Sequence, residues 1–109
     1  MELKEIVKSY FDIFSNKDIQ NLKNLFSNDI ILKDWEIEAN GIDEVIEANL
    51  KIFNSVETIN VTPQEIYQDN FVMICIIDVL INKKEKLKVI DIIKFNKNKK
   101  IEKISAYRQ

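Results

Sequence analysis

Histidine is absent from this chain of 109 residues, and glycine, proline and cysteine occur once each. Without histidine the chain cannot form Ser-His or Cys-His nucleophilic dyads, nor a metal site with histidine ligands. Gly41 alone is too little glycine for phosphate-binding loops or dinucleotide-binding turns, which need several glycines. The chemistry left to the chain is that of carboxylates, tyrosines, lysines and hydroxyls. We therefore expect no metal and no cofactor.

Apolar segments of membrane-spanning length are also absent. The start, MELKEIVKSYF, has no hydrophobic signal segment, and no run approaches the length that spans a membrane. The lone Cys75 excludes an internal disulfide, and its place in an apolar run predicts a buried packing residue. These features predict a cytoplasmic protein that does not act at a membrane.

The overall composition is that of one globular domain, residues 1–109. Hydrophobic residues make up 46% and charged residues 31%, and the formal net charge is -2. The lysine-rich segments 83–86 and 97–100 are typical of solvated turns. A nucleic-acid-binding surface is therefore not expected.

Helical periodicity dominates the first half of the chain. Apolar residues recur at helical spacing over 3–14, over 19–26 and, after the turn signal Asn40-Gly41, over 42–53. A short strand, Ile30 to Asp34, is predicted between the second and third helices. The sequence thus places three helices before residue 55.

The second half is rich in β-branched residues and reads as strands. The predicted strands are Val56 to Tyr67, Phe71 to Ile81, Leu87 to Phe95 and Ile101 to Arg108. Pro63 indicates that the first of them is an edge strand or carries a bulge. Three helices followed by antiparallel strands predict an α+β fold.

One predicted strand is apolar on both faces. Ile90 and Ile92 alternate with a second set made up of Val89, Asp91, Ile93 and Phe95. One face can pack on the helices, and the other needs a different cover. A homodimer through the sheet face is the simplest candidate.

Three polar residues stand among apolar neighbours: Tyr10, Asp34 and Asp91. Asp34 ends the apolar segment IILKDW, and Asp91 shares a strand face with apolar residues. An ionised buried aspartate is unfavourable unless paired, so a protonated Asp91 is expected. Each residue also has an ordinary interpretation: a core tyrosine, a solvated strand end, and a carboxylate bonded to backbone.

The order of these elements resembles that of the nuclear transport factor 2-like (NTF2-like) superfamily, which includes SnoaL-like polyketide cyclases and ketosteroid isomerases. The resemblance is carried by the run Tyr10-Phe11-Asp12-Ile13-Phe14-Ser15-Asn16-Lys17-Asp18-Ile19 and by the ending Val89-Ile90-Asp91-Ile92-Ile93-Lys94-Phe95-Asn96. It implies a cone in which three N-terminal helices pack on a curved antiparallel sheet with a mixed edge.

The resemblance to ketosteroid isomerases implies roles for the three polar residues. Tyr10 matches the catalytic tyrosine on the first helix, Asp34 the general base, and Asp91 the protonated aspartic acid that helps to bind the enolate oxygen. Trp35 follows Asp34 where that family has a proline-containing loop. The tryptophan is expected to narrow the pocket and disfavour a steroid-sized substrate.

The resemblance predicts a small, largely apolar ligand and possible isomerase chemistry next to a carbonyl of that ligand. It also predicts that six aromatic residues line the binding pocket: Phe14, Phe26, Trp35, Phe53, Phe95 and Tyr107. Three alternatives stay open. A SnoaL-like cyclase would use Asp34 or Asp91 in the same cone. A ligand-binding or dimerisation module would use the shape without catalysis. The aromatic side chains could also fill the cone.

Overall fold

Three helices and six strands make up the computed structural model, which describes residues 2–109. The helices are α1 (Leu3–Ser15), α2 (Ile19–Leu25) and α3 (Ile42–Ser55). The strands are β1 (Phe26–Lys33), β2 (Glu38–Asn40), β3 (Ile59–Asp69), β4 (Val72–Ile81), β5 (Glu85–Phe95) and β6 (Ile101–Arg108). The expected α+β class and the order of helices before most strands are confirmed.

The six strands form one curved, unclosed sheet in the order β2-β1-β6-β5-β4-β3. The pair β1–β6 is parallel, and the other pairs are antiparallel. β3 lies at one edge, and its register shifts between Pro63 and Glu65. Both features expected from Pro63, an edge strand and a bulge, are therefore present.

The first strand is longer than the sequence predicted. It begins at Phe26, which was expected on the second helix, because Phe26 pairs with Ile101 of β6. The polar segment after Phe26 lies in an irregular part of this pairing. Asp34 comes directly after the strand, which ends at Lys33.

The core lies between the helices and the concave face of the sheet. α1 packs on β3, and α3 packs on β1 and β2. The side of β5 that holds Val89, Asp91 and Ile93 is buried, as its alternation predicted. On the convex face Ile90 is 41% exposed.

The side chain of Lys17 connects two of the helices. Lys17 follows α1 with φ 55°, and its Nζ donates to the carbonyl oxygens of three residues at the end of α3: Phe53 at 2.8 Å, Val56 at 2.6 Å and Glu57 at 3.0 Å. A cation at a helix C-terminus satisfies carbonyls that lack helical partners and interacts favourably with the helix dipole. Lys17 thereby joins α1 to α3.

No helix within residues 2–109 has the length and apolar character needed to cross a membrane.

Candidate active site

A cavity of about 180 Å³ lies between α1, α3 and the concave face of the sheet. Every strand except β2 contributes to its wall, which is predominantly apolar. Its polar side chains are Tyr10, Asp34, Asn49 and Asp91. An apolar cavity of about 150 Å³ is large enough for benzene, so this one suits a molecule built on one ring.

Tyr10 enters the cavity wall from the buried stripe of α1. Its ring packs at centroid distances of 5.3 Å from Phe11, 6.2 Å from Phe14 and 6.3 Å from Phe26. The side chain is 6% exposed, and no residue in the described part of the chain hydrogen-bonds to its hydroxyl. Burial raises the pKa of Tyr10 well above its ordinary value, with further contributions from Asp91 and Cys75. The hydroxyl therefore keeps its proton and can donate it in a hydrogen bond.

Asp91 stands on the concave side of β5, opposite Cys75 of β4 and Ala106 of β6. It is 7% exposed, and within residues 2–109 its carboxyl group has no hydrogen-bond partner. Burial, followed by the negative charge of Asp34, raises the pKa of Asp91 from 3.8 to about 7. A substantial fraction of Asp91 is thus protonated near neutral pH and can donate a hydrogen bond.

Asp34 is held by the turn that follows β1. Its Oδ1 accepts hydrogen bonds from the backbone N–H groups of Glu36 at 2.7 Å and Ile37 at 2.6 Å. The backbone N–H of Asp34 donates to the carbonyl oxygen of Ile37 at 2.9 Å. No donor among the described residues reaches Oδ2. The turn therefore orients the carboxylate and leaves one oxygen free to accept a proton.

Asn49 is a polar residue of the wall that the sequence analysis missed. It lies on α3, is 4% exposed, and its Nδ2 donates to the carbonyl oxygen of Val45 at 2.8 Å. The sequence did contain a signal, because Asn49 stands one helical turn from both Val45 and Phe53 on the apolar side of the helix. The rule that selected Tyr10 and Asp91 would have selected Asn49 as well.

The aromatic residues expected to bind a ligand lie in three places. Phe14 and Trp35 line the cavity. Phe26, Phe53 and Phe95 are buried in the core and do not line it. Tyr107 is 58% exposed on the convex face, paired with Ile90. The core aromatic residues thus leave the cavity open, and Tyr107 lies on the opposite side of the sheet.

Cys75 is fully buried beside this site. Burial and the charge of Asp91 raise the pKa of its thiol to about 12. The thiol is therefore protonated at neutral pH and behaves as a packing residue, as predicted. Among residues 2–109 no group of three or more Cys, Asp and Glu side chains is arranged to hold a metal ion.

No protein-family model matches the chain, and no curated protein matches it.

Solved structures, in contrast, match the fold over nearly the whole chain. An NTF2-like protein of unknown function from Cytophaga hutchinsonii has a TM-score of 0.85 and 9% identity, covering 100% of this chain and 91% of its own. A candidate SnoaL-like polyketide cyclase from Shewanella denitrificans has a TM-score of 0.87 and 11% identity, covering 98% and 90%. A candidate ketosteroid isomerase from Kribbella flavida has a TM-score of 0.82 and 11% identity, covering 98% and 77%.

These identities are low enough that the likeness concerns architecture alone, since one fold hosts many functions. The three helices, the curved mixed sheet and the internal cavity are those expected from the sequence resemblance. The chain therefore has the NTF2-like fold, in the form also found in SnoaL-like and ketosteroid isomerase-like proteins.

Proposed function

We propose that this protein binds a small, largely apolar carbonyl compound in its cavity and moves a proton between carbons near the carbonyl. The observation that carries the proposal is the convergence of Tyr10, Asp34 and Asp91 on one apolar cavity. A base and two hydrogen-bond donors around one space form the arrangement that enolate chemistry requires.

Asp34 is the base in this proposal. Its Oδ1 is bound by two backbone N–H groups, and its Oδ2 has no donor within the described residues. Oδ2 takes a proton from the carbon next to the carbonyl and returns it to a different carbon of the same ligand. The reaction is an isomerisation, so it consumes no other reactant.

Tyr10 and protonated Asp91 bind the oxygen on which negative charge develops. Both groups are buried, and neither has another hydrogen-bond partner in residues 2–109. Donors fixed in a dry site stabilise an enolate more than water does, because they need no reorganisation as charge develops. Deprotonation of Asp91 removes one donor, so activity should fall as pH rises above about 7.

Conversion of cyclohex-3-enone to cyclohex-2-enone tests the proposal, since the conjugated product absorbs ultraviolet light. The wild-type protein should accelerate this conversion, and Asp34→Asn should lower the rate at least about 100-fold. Asp12→Asn is the matched control, because Asp12 is exposed on α1, and it should keep the wild-type rate. Equal rates for Asp34→Asn and wild type would refute the role of Asp34.

Two other functions are alternatives, and the same experiment tests the first of them. Saturable ketone binding without turnover would favour a non-catalytic binding module. A SnoaL-like cyclase is the other alternative, supported by the fold it shares with the candidate cyclase from Shewanella denitrificans. A polyketide larger than a single ring would be accommodated poorly by a cavity of about 180 Å³.

We also infer that a second copy of the chain covers the convex face, in a cytoplasmic homodimer. Ile74 pairs with Ile92 and Ile76 with Ile90 across β4 and β5, so four isoleucines form one block. Tyr107 extends the block beside Ile90. A two-fold interface buries the same patch on both copies, gaining about 25 cal/mol per Å² of apolar surface.

A further inference from the structure

We propose that Asn49 selects the ligand: its Oδ1 accepts a hydrogen bond from a hydroxyl or N–H group that a ring-sized carbonyl compound carries in addition to its carbonyl. The inference rests on the proposed function, because it assigns the carbonyl oxygen to Tyr10 and Asp91. It adds a specificity-determining residue and narrows the substrate class.

The backbone of α3 fixes the orientation of the Asn49 amide. Nδ2 donates to the carbonyl oxygen of Val45 at 2.8 Å. The reverse orientation would set Oδ1 against that carbonyl oxygen, placing two acceptors together. Nδ2 is therefore committed to Val45, and Oδ1 is the atom left for a ligand.

Oδ1 lacks a partner although the residue is buried. Asn49 is 4% exposed and lines the cavity, and no donor within residues 2–109 reaches its Oδ1. Among the described residues the fully buried side-chain atoms without a hydrogen-bond partner are Thr58 Oγ1 and Asp78 Oδ1, so Asn49 Oδ1 is accessible from the cavity. A donor supplied by the ligand would satisfy this atom.

The other polar groups of the cavity already have different tasks. Tyr10 and protonated Asp91 offer donors to the carbonyl oxygen, and Asp34 takes a proton from carbon. Asn49 comes from α3, whereas Tyr10 and Asp91 come from α1 and β5. Oδ1 can only accept a hydrogen bond, so it cannot bond the carbonyl oxygen that this pair holds, and the ligand atom that Asn49 binds is a donor.

Cavity size limits the rest of the ligand. At about 180 Å³ the space exceeds the volume that holds benzene by only a small margin. The part of the substrate enclosed by the cavity is therefore a single-ring ketone, or a chain of similar size, that carries a hydroxyl or N–H group.

Binding of simple phenols tests this inference, since a phenol hydroxyl can occupy the place of the enolate oxygen. The probes are the three dihydroxybenzenes and the three methylphenols with the same substitution patterns, measured by titration calorimetry at pH 6. In the wild type, at least one dihydroxybenzene should bind about tenfold more tightly than its methyl counterpart. Asn49→Leu, which removes the acceptor at similar side-chain size, should abolish this preference.

Asn54→Leu is the matched control, because Asn54 is exposed on the same helix. It should keep the wild-type preference. Asn49→Ala repeats the measurement if Asn49→Leu fails to fold. If Tyr10→Phe weakens the binding of all phenols, the donor pair stands and the role of Asn49 is tested separately. That role is overturned if the wild type prefers no dihydroxybenzene, or if the preference survives in the folded Asn49 variant. If Tyr10→Phe has no effect, or no phenol binds, the proposed donor pair itself is refuted and the inference falls with it.

Discussion

Replacing Asp91 with asparagine should change the way in which stability depends on pH. The pKa of Asp91 is raised from 3.8 to about 7 by burial and by the charge of Asp34. The folded protein therefore keeps a proton that the unfolded chain would release. The stability tied to this proton is fully present below pH 3.8 and is lost as pH rises through about 7.

The size of the effect follows from the pKa difference. One pKa unit corresponds to 1.36 kcal/mol, so the wild type should lose about 4 kcal/mol from this group between pH 4 and pH 8. That is a large part of the 5–15 kcal/mol typical of a domain, so it should be readily measurable. In Asp91→Asn the side chain does not titrate, and this loss should be absent.

Urea unfolding at pH 4 to 8 measures the effect as the difference in unfolding free energy between Asp91→Asn and wild type. This difference should rise by about 4 kcal/mol across the range, because contributions from groups that do not interact with Asp91 cancel. Asp12→Asn, at an exposed position, is the control, and its difference in unfolding free energy from wild type should stay nearly constant across this pH range. A difference for Asp91→Asn that varies by less than about 1 kcal/mol would show that Asp91 titrates as an ordinary surface carboxylate.

The remaining predictions concern the second donor, the helical layer and the dimer. Tyr10→Phe keeps the ring packing and removes the hydroxyl, so cyclohex-3-enone turnover should fall about 100-fold while the thermal midpoint changes little; an unchanged rate would contradict the donor role. Lys17→Met loses three hydrogen bonds at the C-terminal end of α3 and should lower the unfolding free energy by about 1–3 kcal/mol. The control Lys23→Met, at an exposed position, should leave it unchanged. Equal urea midpoints for Lys17→Met and wild type would refute this account. Sedimentation equilibrium at tens of micromolar should give a dimer for the wild type and a monomer for Ile90→Lys, and a monomeric wild type would exclude the interface.

Local patterns in the sequence were sufficient for most of the elements. The helical spacing of apolar residues predicted α1 and α3. The alternation of residues along β5 predicted which of its side chains share the buried face and that Ile90 lies on the other face. These features depend on neighbours in the chain, which a sequence displays directly. The pairing of Phe26 with Ile101 joins distant segments, so the true start of β1 could not be read from local pattern. The short strand β2 pairs locally with β1, and it was missed because three residues are too few to show an alternating pattern.

The polar residues of the site were easier to predict than its apolar wall. Tyr10 and Asp91 are conspicuous because a polar group interrupts an apolar face, and Asn49 was overlooked despite the same property. Phe53 and Phe14 stack edge-on at 5.0 Å, yet only Phe14 reaches the cavity. Which aromatic side chain faces the space depends on how α1 and α3 approach each other, and sequence periodicity does not encode that distance.

The place of β6 in the sheet has a consequence for biosynthesis. β6 is the last strand in chain order among residues 2–109, yet it lies in the middle of the sheet, between β1 and β5. Until it emerges from the ribosome, the hairpins β3-β4-β5 have no sheet connection to β1 and β2. Ile104 and Ala106 of β6 also complete the cavity wall. The complete cavity wall therefore forms only after β6 has emerged, and ligand present during translation can occupy the complete site only from that point.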